Sequence, residues 1–326
     1  MLNTLKHLSL GLTVIAGLAS SPMLAAAQDN YPSKPITIIV PLAPGGGTDL
    51  AARLMAQHLT QSLGQQVVVE NHPGAAGTIG VQVGRAAAPD GYTLTVIGAS
   101  YSVNPALYNL DFDPVEDITP VVMFSQGGQL LVANSKLGFK TVADLLAAAK
   151  KDPGKITSAS VGTGSVSDLA TALLGSMGGA QFTSVQYKGI GPALTDTVAG
   201  VTDISFASPG AAFPQVEAGT LTALATTSKV PIPGHPEVPT VAQSGMPDYD
   251  VSLWYGIIGP KGLPAPIVDK INAAVNDMLK DPDVVKKINT DGYVPVGGSA
   301  ADFKARIAKE VAQWKEVAKG MNLKAQ

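Results

Sequence analysis

Six consecutive residues, Pro44-Gly45-Gly46-Gly47-Thr48-Asp49, carry the most legible chemistry in this chain. They follow Ile36-Thr37-Ile38-Ile39-Val40, a short β-branched run that reads as a buried strand. They precede a helical stretch, Thr48 to Met55, for which Thr48 is the expected N-cap. Glycines ahead of the cap let the backbone turn tightly and leave its N–H groups unshielded. A helix N-terminus adds unpaired N–H donors and the positive end of a dipole. The combination predicts a main-chain seat for an anion. The same residues would also serve as a plain strand-to-helix turn, with Asp49 favouring the positive helix end. No Gly-Lys-Ser/Thr follows, so this is not a Walker loop.

A second glycine motif, Gly162-Thr163-Gly164-Ser165-Val166-Ser167, sits in a similar strand-to-helix context. It lacks the third glycine of a dinucleotide fingerprint, and the next strand ends in Tyr187-Lys188-Gly189 rather than in an acid that could hold a ribose. It reads as a second carboxylate cradle. Tyr187 and Lys188 offer a hydroxyl and a cation at a strand end, although a single lysine is most often simply solvated.

Signatures of catalysis are scarce. Beyond the N-terminal segment the histidines are His58, His72 and His235, widely spaced and with no His-Glu-x-x-His. There is no cysteine and no Gly-x-Ser-x-Gly elbow. Asp111 and Asp113 lie beside Pro114, where turn formation accounts for them. Arginine occurs only at 53, 85 and 306, so an anion would be held by backbone N–H groups and hydroxyls rather than by an arginine clamp.

The elements that must position these residues alternate between strand and helix. Val67 to Glu70 reads as a strand ahead of a second glycine loop, Pro73 to Gly77, and a helix from Thr78 to Ala88. Thr93 to Ile97, Ile156 to Ser160, Thr183 to Tyr187 and Asp203 to Ala207 read as further strands. Helices are expected at 142–151, after a Ser167 cap, and at 192–199. Three more close the chain at 266–279, 281–290 and 301–318, the last with an apolar stripe of Phe303, Ile307, Val311, Trp314 and Val317 that reads as core. Such βα alternation implies mostly parallel sheets covered by helices, with ligands at the carboxyl ends of the strands. Two sheets presenting their glycine loops to each other would enclose a cleft.

Composition narrows the class further. Charged residues make up 14% and aromatic residues 5%, which is neither a disordered nor a nucleic-acid-binding composition. The formal charge of −3 gives no electrostatic case for DNA or anionic membranes. Lys6, an apolar run from Leu8 to Leu18 and Ala25-Ala26-Ala27 predict a signal peptide over residues 1–27, cleaved after Ala27. Roughly 300 residues would remain, more than one core usually organises. The expected location is the periplasm.

Short motifs recur in a specific order: Tyr31-Pro32-Ser33-Lys34-Pro35-Ile36, the Pro44–Asp49 loop with Ala52-Arg53, Leu63-Gly64-Gln65, Gly77-Thr78-Ile79-Gly80, Pro89-Asp90-Gly91-Tyr92, Asn104-Pro105-Ala106-Leu107, Tyr187-Lys188-Gly189 and Trp254-Tyr255-Gly256. In this order and spacing the chain resembles the Bug-type (TctC-like) solute receptors of tripartite tricarboxylate transporters. The resemblance implies an α/β, two-domain Venus-flytrap periplasmic binding protein, type II-like. Each domain would be a mostly parallel sheet flanked by helices, with the ligand in the interdomain cleft. It implies a discontinuous first domain, residues 28–125 plus 251–326, and a second domain, 126–250. It also implies a small organic carboxylate as ligand, membrane permease subunits as partners, a monomer, and neither cofactor, metal, nucleic-acid partner nor catalysis.

Ligand contacts carried over from the family fall on Pro44, Gly45, Gly46, Thr48, Asp49, Ala76, Gly77, Ser100 and Asn104 in the first domain. In the second they fall on Thr163, Gly164, Ser165, Asp168, Tyr187 and Ser208. Many relatives carry His-Leu where this chain has Asp168-Leu169, so Asp168 either selects a ligand amine or hydroxyl or merely caps its helix. Two alternatives stay open: an exported hydrolase using a serine such as Ser165, and a receptor whose output is a sensor kinase.

Overall fold

The computed structural model describes residues 30–162 and 164–320. The predicted signal peptide and Thr163 therefore lie outside the described residues. The first βαβ unit is β1 (Ile36–Val40), α1 (Gly47–Leu63) and β2 (Val67–Asn71). Helix α1 buries Ala51, Ala52, Met55, Ala56 and Leu59 on one face and ends at Gly64, which takes the left-handed conformation of a helix C-cap. Its N-cap is Gly46, in extended conformation, and not the expected Thr48, which is the second helical residue and buried. The helix is thus capped two residues earlier than expected, by a glycine that makes no side-chain bond.

After α2 (Thr78–Arg85) come β3 (Thr93–Gly98), α3 (Ser100–Leu107) and the long strand β4 (Ile118–Gly128). Only Gln129 separates β4 from β5 (Leu130–Asn134), the first strand of a second sheet. That half of the molecule continues with α4 (Val142–Lys151), β6 (Thr157–Ser160), α5 (Val166–Gly178), β7 (Thr183–Gln186), α6 (Ile190–Ala199), β8 (Ile204–Ala207), α7 (Pro209–Glu217) and β9 (Leu221–Thr226). The chain returns through β10 (Ser252–Pro260) and ends with α8 (Ala265–Met278), α9 (Pro282–Thr290), β11 (Tyr293–Gly297) and α10 (Ala300–Gly320).

The two sheets have the orders β11-β4-β10-β3-β1-β2 and β7-β6-β8-β5-β9. Parallel pairing covers β1 with β2 and β3, and β6 with β7 and β8. The remaining pairs are antiparallel, so both sheets are mixed rather than mostly parallel. Parallel neighbours need a crossover element, usually a helix, whereas β4, β5 and β10 carry the chain between the sheets and pair antiparallel where they arrive. In the second sheet the N-cap of α5 is Ser165, with its Oγ accepting from the Asp168 N–H at 3.3 Å; the expected cap Ser167 is instead fully buried in the first turn.

Each sheet is covered on both faces. Ile36, Ile38 and Val40 point to a core shared with α1, α8 and α9, while Ile97 and Trp254 meet α2 and α10 on the other side. Leu131 and Phe206 face α4 and α5, and Leu130 and Ala207 face α6 and α7. The apolar stripe of α10 is core, as its spacing predicts, but it serves two cores. Phe303, Ile307 and Val311 pack on the first sheet, and Trp314 enters the core of the second beside Tyr249 and Val251. Between them the buried Glu310 accepts a 2.7 Å hydrogen bond from Trp254 Nε1 and pairs with Arg306.

Removing the Trp314 side chain should therefore loosen the second core from the last helix. We expect Trp314→Ala to cost about 3–5 kcal/mol in urea unfolding. A loss below about 1 kcal/mol would show that α10 does not hold that core.

Candidate functional site

The three glycines of the first loop act for three different reasons. Gly45 has φ +85°, a conformation that other residues enter at a cost. Gly46 has an ordinary extended backbone, and a Cβ there would meet only Ala43 O at 3.8 Å, so its missing side chain keeps the space in front of α1 open. Gly47 lies against Tyr255, whose hydroxyl occupies the place where a Cβ would stand.

Asp49 ties this loop together. Only 2% exposed, it accepts from the Gly45 N–H and from Arg53 Nε with Oδ2, both at 2.9 Å, and from Asn71 Nδ2 with Oδ1 at 3.0 Å. Asn71 Nδ2 also donates to Leu42 O at 3.0 Å, so the end of β2 is fastened to the same turn. The Arg53 hydrogen bond, followed by those from Gly45 and Asn71, outweighs burial and lowers the Asp49 pKa from 3.8 to about 2. Arg53 is thereby engaged in bracing.

The second sheet repeats this device. Asp168 Oδ2 accepts from the Gly164 N–H at 2.9 Å, the same four-residue separation as Gly45 and Asp49. Its Oδ1 accepts from Ser184 Oγ at 2.6 Å and Gln186 Nε2 at 3.2 Å, both on β7, the parallel neighbour of β6. Asp168 thus stands to its loop as Asp49 stands to the first. Gly164 has φ +75°, and a Cβ there would run into Leu107 of α3, so the two halves touch at this point.

The predicted site residues fall into three groups. Gly45, Gly46 and Ser208 line one cavity of about 520 Å³ between the two sheets. Its second-sheet wall also includes Val161 and Gly210, and Phe124, Gln129, Tyr255 and Tyr293 line it as well. Ala76, Gly77, Ser100 and Asn104 gather around a separate small hollow of about 10 Å³ beside Pro41 and Leu42. There Asn104 Nδ2 donates to Ala76 O at 3.0 Å, and Ala75 and Ala76 both have positive φ, a strained conformation for residues with a side chain.

The third group lines neither space. Pro44, Thr48, Asp49, Gly164, Ser165 and Asp168 build the two loops, and Tyr187 Oη donates to Asp196 Oδ2 at 2.7 Å. Gln129, Tyr293 and Asp291 line the larger cavity without having been expected there. Tyr255 belongs to the Trp254-Tyr255-Gly256 motif, whose presence signalled the position but not its role.

The model of the family described as "Tripartite tricarboxylate transporter family receptor" matches residues 51–323. The chain belongs to this receptor family. It is 40% identical over 299 residues to the "UPF0065 protein in the TAR-I ttuE-ttuC' intergenic region" of Agrobacterium vitis, covering 91% of this chain and 86% of that protein. Among solved structures, one described as a periplasmic transporter is 38% identical with a TM-score of 0.79, covering 90% of this chain and 99% of that one. A structure of an R. palustris protein with adipate is 31% identical with a TM-score of 0.79, covering 91% of this chain and 100% of that one. The two-sheet receptor fold and the family are thus shared along nearly the whole chain.

Asp49 supplies a direct test of the loop brace. Its folded pKa lies below the unfolded value, so its contribution is present above about pH 4 and is lost as the pH falls toward 2. Asp49→Asn is expected to lower stability at pH 7 by about 2 kcal/mol and to flatten the acid limb of a urea-unfolding series from pH 6 to 2. An unchanged acid limb would remove Asp49 from the brace.

Proposed function

We propose that this receptor is exported to the periplasm, captures a small organic carboxylate between its two lobes and presents it to a membrane permease. The observation that carries this reading is the cavity itself. One wall is a glycine loop at a helix N-terminus, where unpaired N–H groups favour a carboxylate. The facing wall, at Ser208, comes from the other sheet. The adipate held by a relative of the same fold supports the choice of anion.

In this reading Gly46 and Gly47 offer N–H groups to the carboxylate and Ser208 offers its hydroxyl from the second lobe. Ala76, Gly77, Ser100 and Asn104 surround the separate hollow beside Pro41 and Leu42, and Ser165 caps the helix that follows the second loop. Asp49, Gly164 and Asp168 act through loop shape, and Tyr187 through its anchor on Asp196. The moving units are residues 28–125 with 251–326, and 126–250, joined where β4 passes into β5 at Gln129. Binding across both units favours the closed state, which is the signal that a permease reads.

Turnover of the ligand is not part of this proposal. Ser165 Oγ lies beside the Ser160 and Ser167 hydroxyls at 3.2 and 3.0 Å, while His72 and His235 face Glu70 and Glu237. A nucleophilic serine needs a base within reach, and among the described residues the hydrogen-bond partners of Ser165 Oγ are Ser160, Ser167 and the Asp168 N–H, not a histidine.

Gly46→Val tests the seat, because its backbone angles suit any residue and its Cβ is free of clashes. Wild-type protein with an organic acid at a hundred times its dissociation constant should gain about 2.7 kcal/mol of stability in a thermal-unfolding panel. The Gly46→Val protein should unfold normally without ligand and lose that gain. A folded variant that keeps its affinity would place the carboxylate elsewhere.

A further inference from the structure

The chemistry of the cavity walls goes beyond a carboxylate seat and deepens the receptor reading, on which this inference rests. Among the described residues, no lysine, arginine or histidine lines the space of about 520 Å³. Arg53, the nearest in sequence to the glycine loop, is bound to Asp49. The one charged side chain among the described residues that line it is an acid, Asp291. A ligand with a second carboxylate would find no side-chain cation to meet it and would share the space with another carboxylate.

Much of the wall is hydrocarbon. Leu50 and Leu54 of α1, Phe124 of β4, Leu253 of β10 and Ile288 of α9 face the cavity. A cavity of about 150 Å³ is enough for benzene in other proteins, so this one has room for a ring beyond the carboxylate.

Gln129 adds a specific polar demand. Gln129 is 8% exposed and lines the cavity. Its backbone is fixed to Thr227, with N–H to Oγ1 at 2.8 Å and the Thr227 N–H to its carbonyl at 2.9 Å. Its Nε2 donates to Phe206 O at 3.3 Å, which leaves the buried Oε1 without a donor among the described residues. Asp291 is a second acceptor, and the hydroxyls of Tyr255 and Tyr293, which line the same cavity, stand 3.4 Å apart.

We infer that the ligand is a monocarboxylic acid with an apolar, ring-sized body and a hydroxyl donor at the far end. Its carboxylate meets the start of α1, its ring fills the space between Leu54, Phe124 and Ile288, and its hydroxyl donates to Gln129. A site built to pair a buried acceptor with a ligand hydroxyl rejects the analogue that lacks it.

The test is titration calorimetry of the mature protein with 3-(4-hydroxyphenyl)propionate, 3-phenylpropionate and adipate. The hydroxylated aromatic acid is expected to bind at least tenfold more tightly than either of the others. Gln129→Met should erase the gap between the two aromatic acids, and Asp291→Lys should raise adipate affinity at least tenfold. Should Gln129→Met fail to unfold cooperatively, the wild-type ranking and Asp291→Lys still decide the matter. Tighter binding of adipate by the wild type would overturn the monocarboxylate inference and leave the receptor reading standing. Equal affinity for the two aromatic acids would overturn the hydroxyl. Binding of none of the three would overturn this inference, and the receptor reading would fall with it only if the whole thermal-unfolding panel of organic acids also gave no shift.

Discussion

Between β1 and α1 the chain must turn sharply while keeping the start of the helix open to the cleft, and a buried carboxylate makes both possible. Asp49 draws the Gly45 N–H, Arg53 and Asn71 onto one side chain, which fixes the loop to its own helix and to the end of β2. A loop braced from behind needs no side chain at its front, so Gly46 can face the cavity bare. The use of the same aspartate–glycine link at Asp168 and Gly164 shows that both halves solve one problem in one way. In each, the acid sits in the first helical turn, where the dipole also favours it.

The rest of the architecture joins the two sheets that carry these braced loops. Strand β4 runs into β5 with one residue between them, and β10 carries the chain back. These strands pair antiparallel beside the parallel βα units, which is why both sheets are mixed. The cavity wall therefore draws on both kinds of element. The glycine loop and Ser208 come from βα units, and Phe124, Gln129 and Tyr255 from the crossing and returning strands.

Much of this was legible in the sequence. The β-branched runs at 36–40 and 93–97, the glycine loops and the stripe of α10 all announce their structure through local pattern. What stayed hidden had weak or conflicting local signals. Strand β4 contains Pro120 and ends in two glycines, β9 is rich in leucine and alanine, and α3 and α7 each carry an internal proline. Their formation is decided by tertiary packing rather than by propensity. At the site, residue type identified the glycine loop, but the engagement of Asp168 and Tyr187 depends on partners 16 or 18 and 9 residues away. Gln129 and Tyr293 reach the cavity only through strand crossing, which no local motif records.

Helix α10 has a mechanical meaning beyond packing. Phe303 and Ile307 are seated in one core and Trp314 in the other, on a single continuous rod. The lobes cannot draw apart along a line without extracting one of these side chains into water. The closure proposed above would then be a rotation about an axis close to that rod. Such a swing would bring Gly46 and Ser208, which line the cavity from the two different sheets, toward each other.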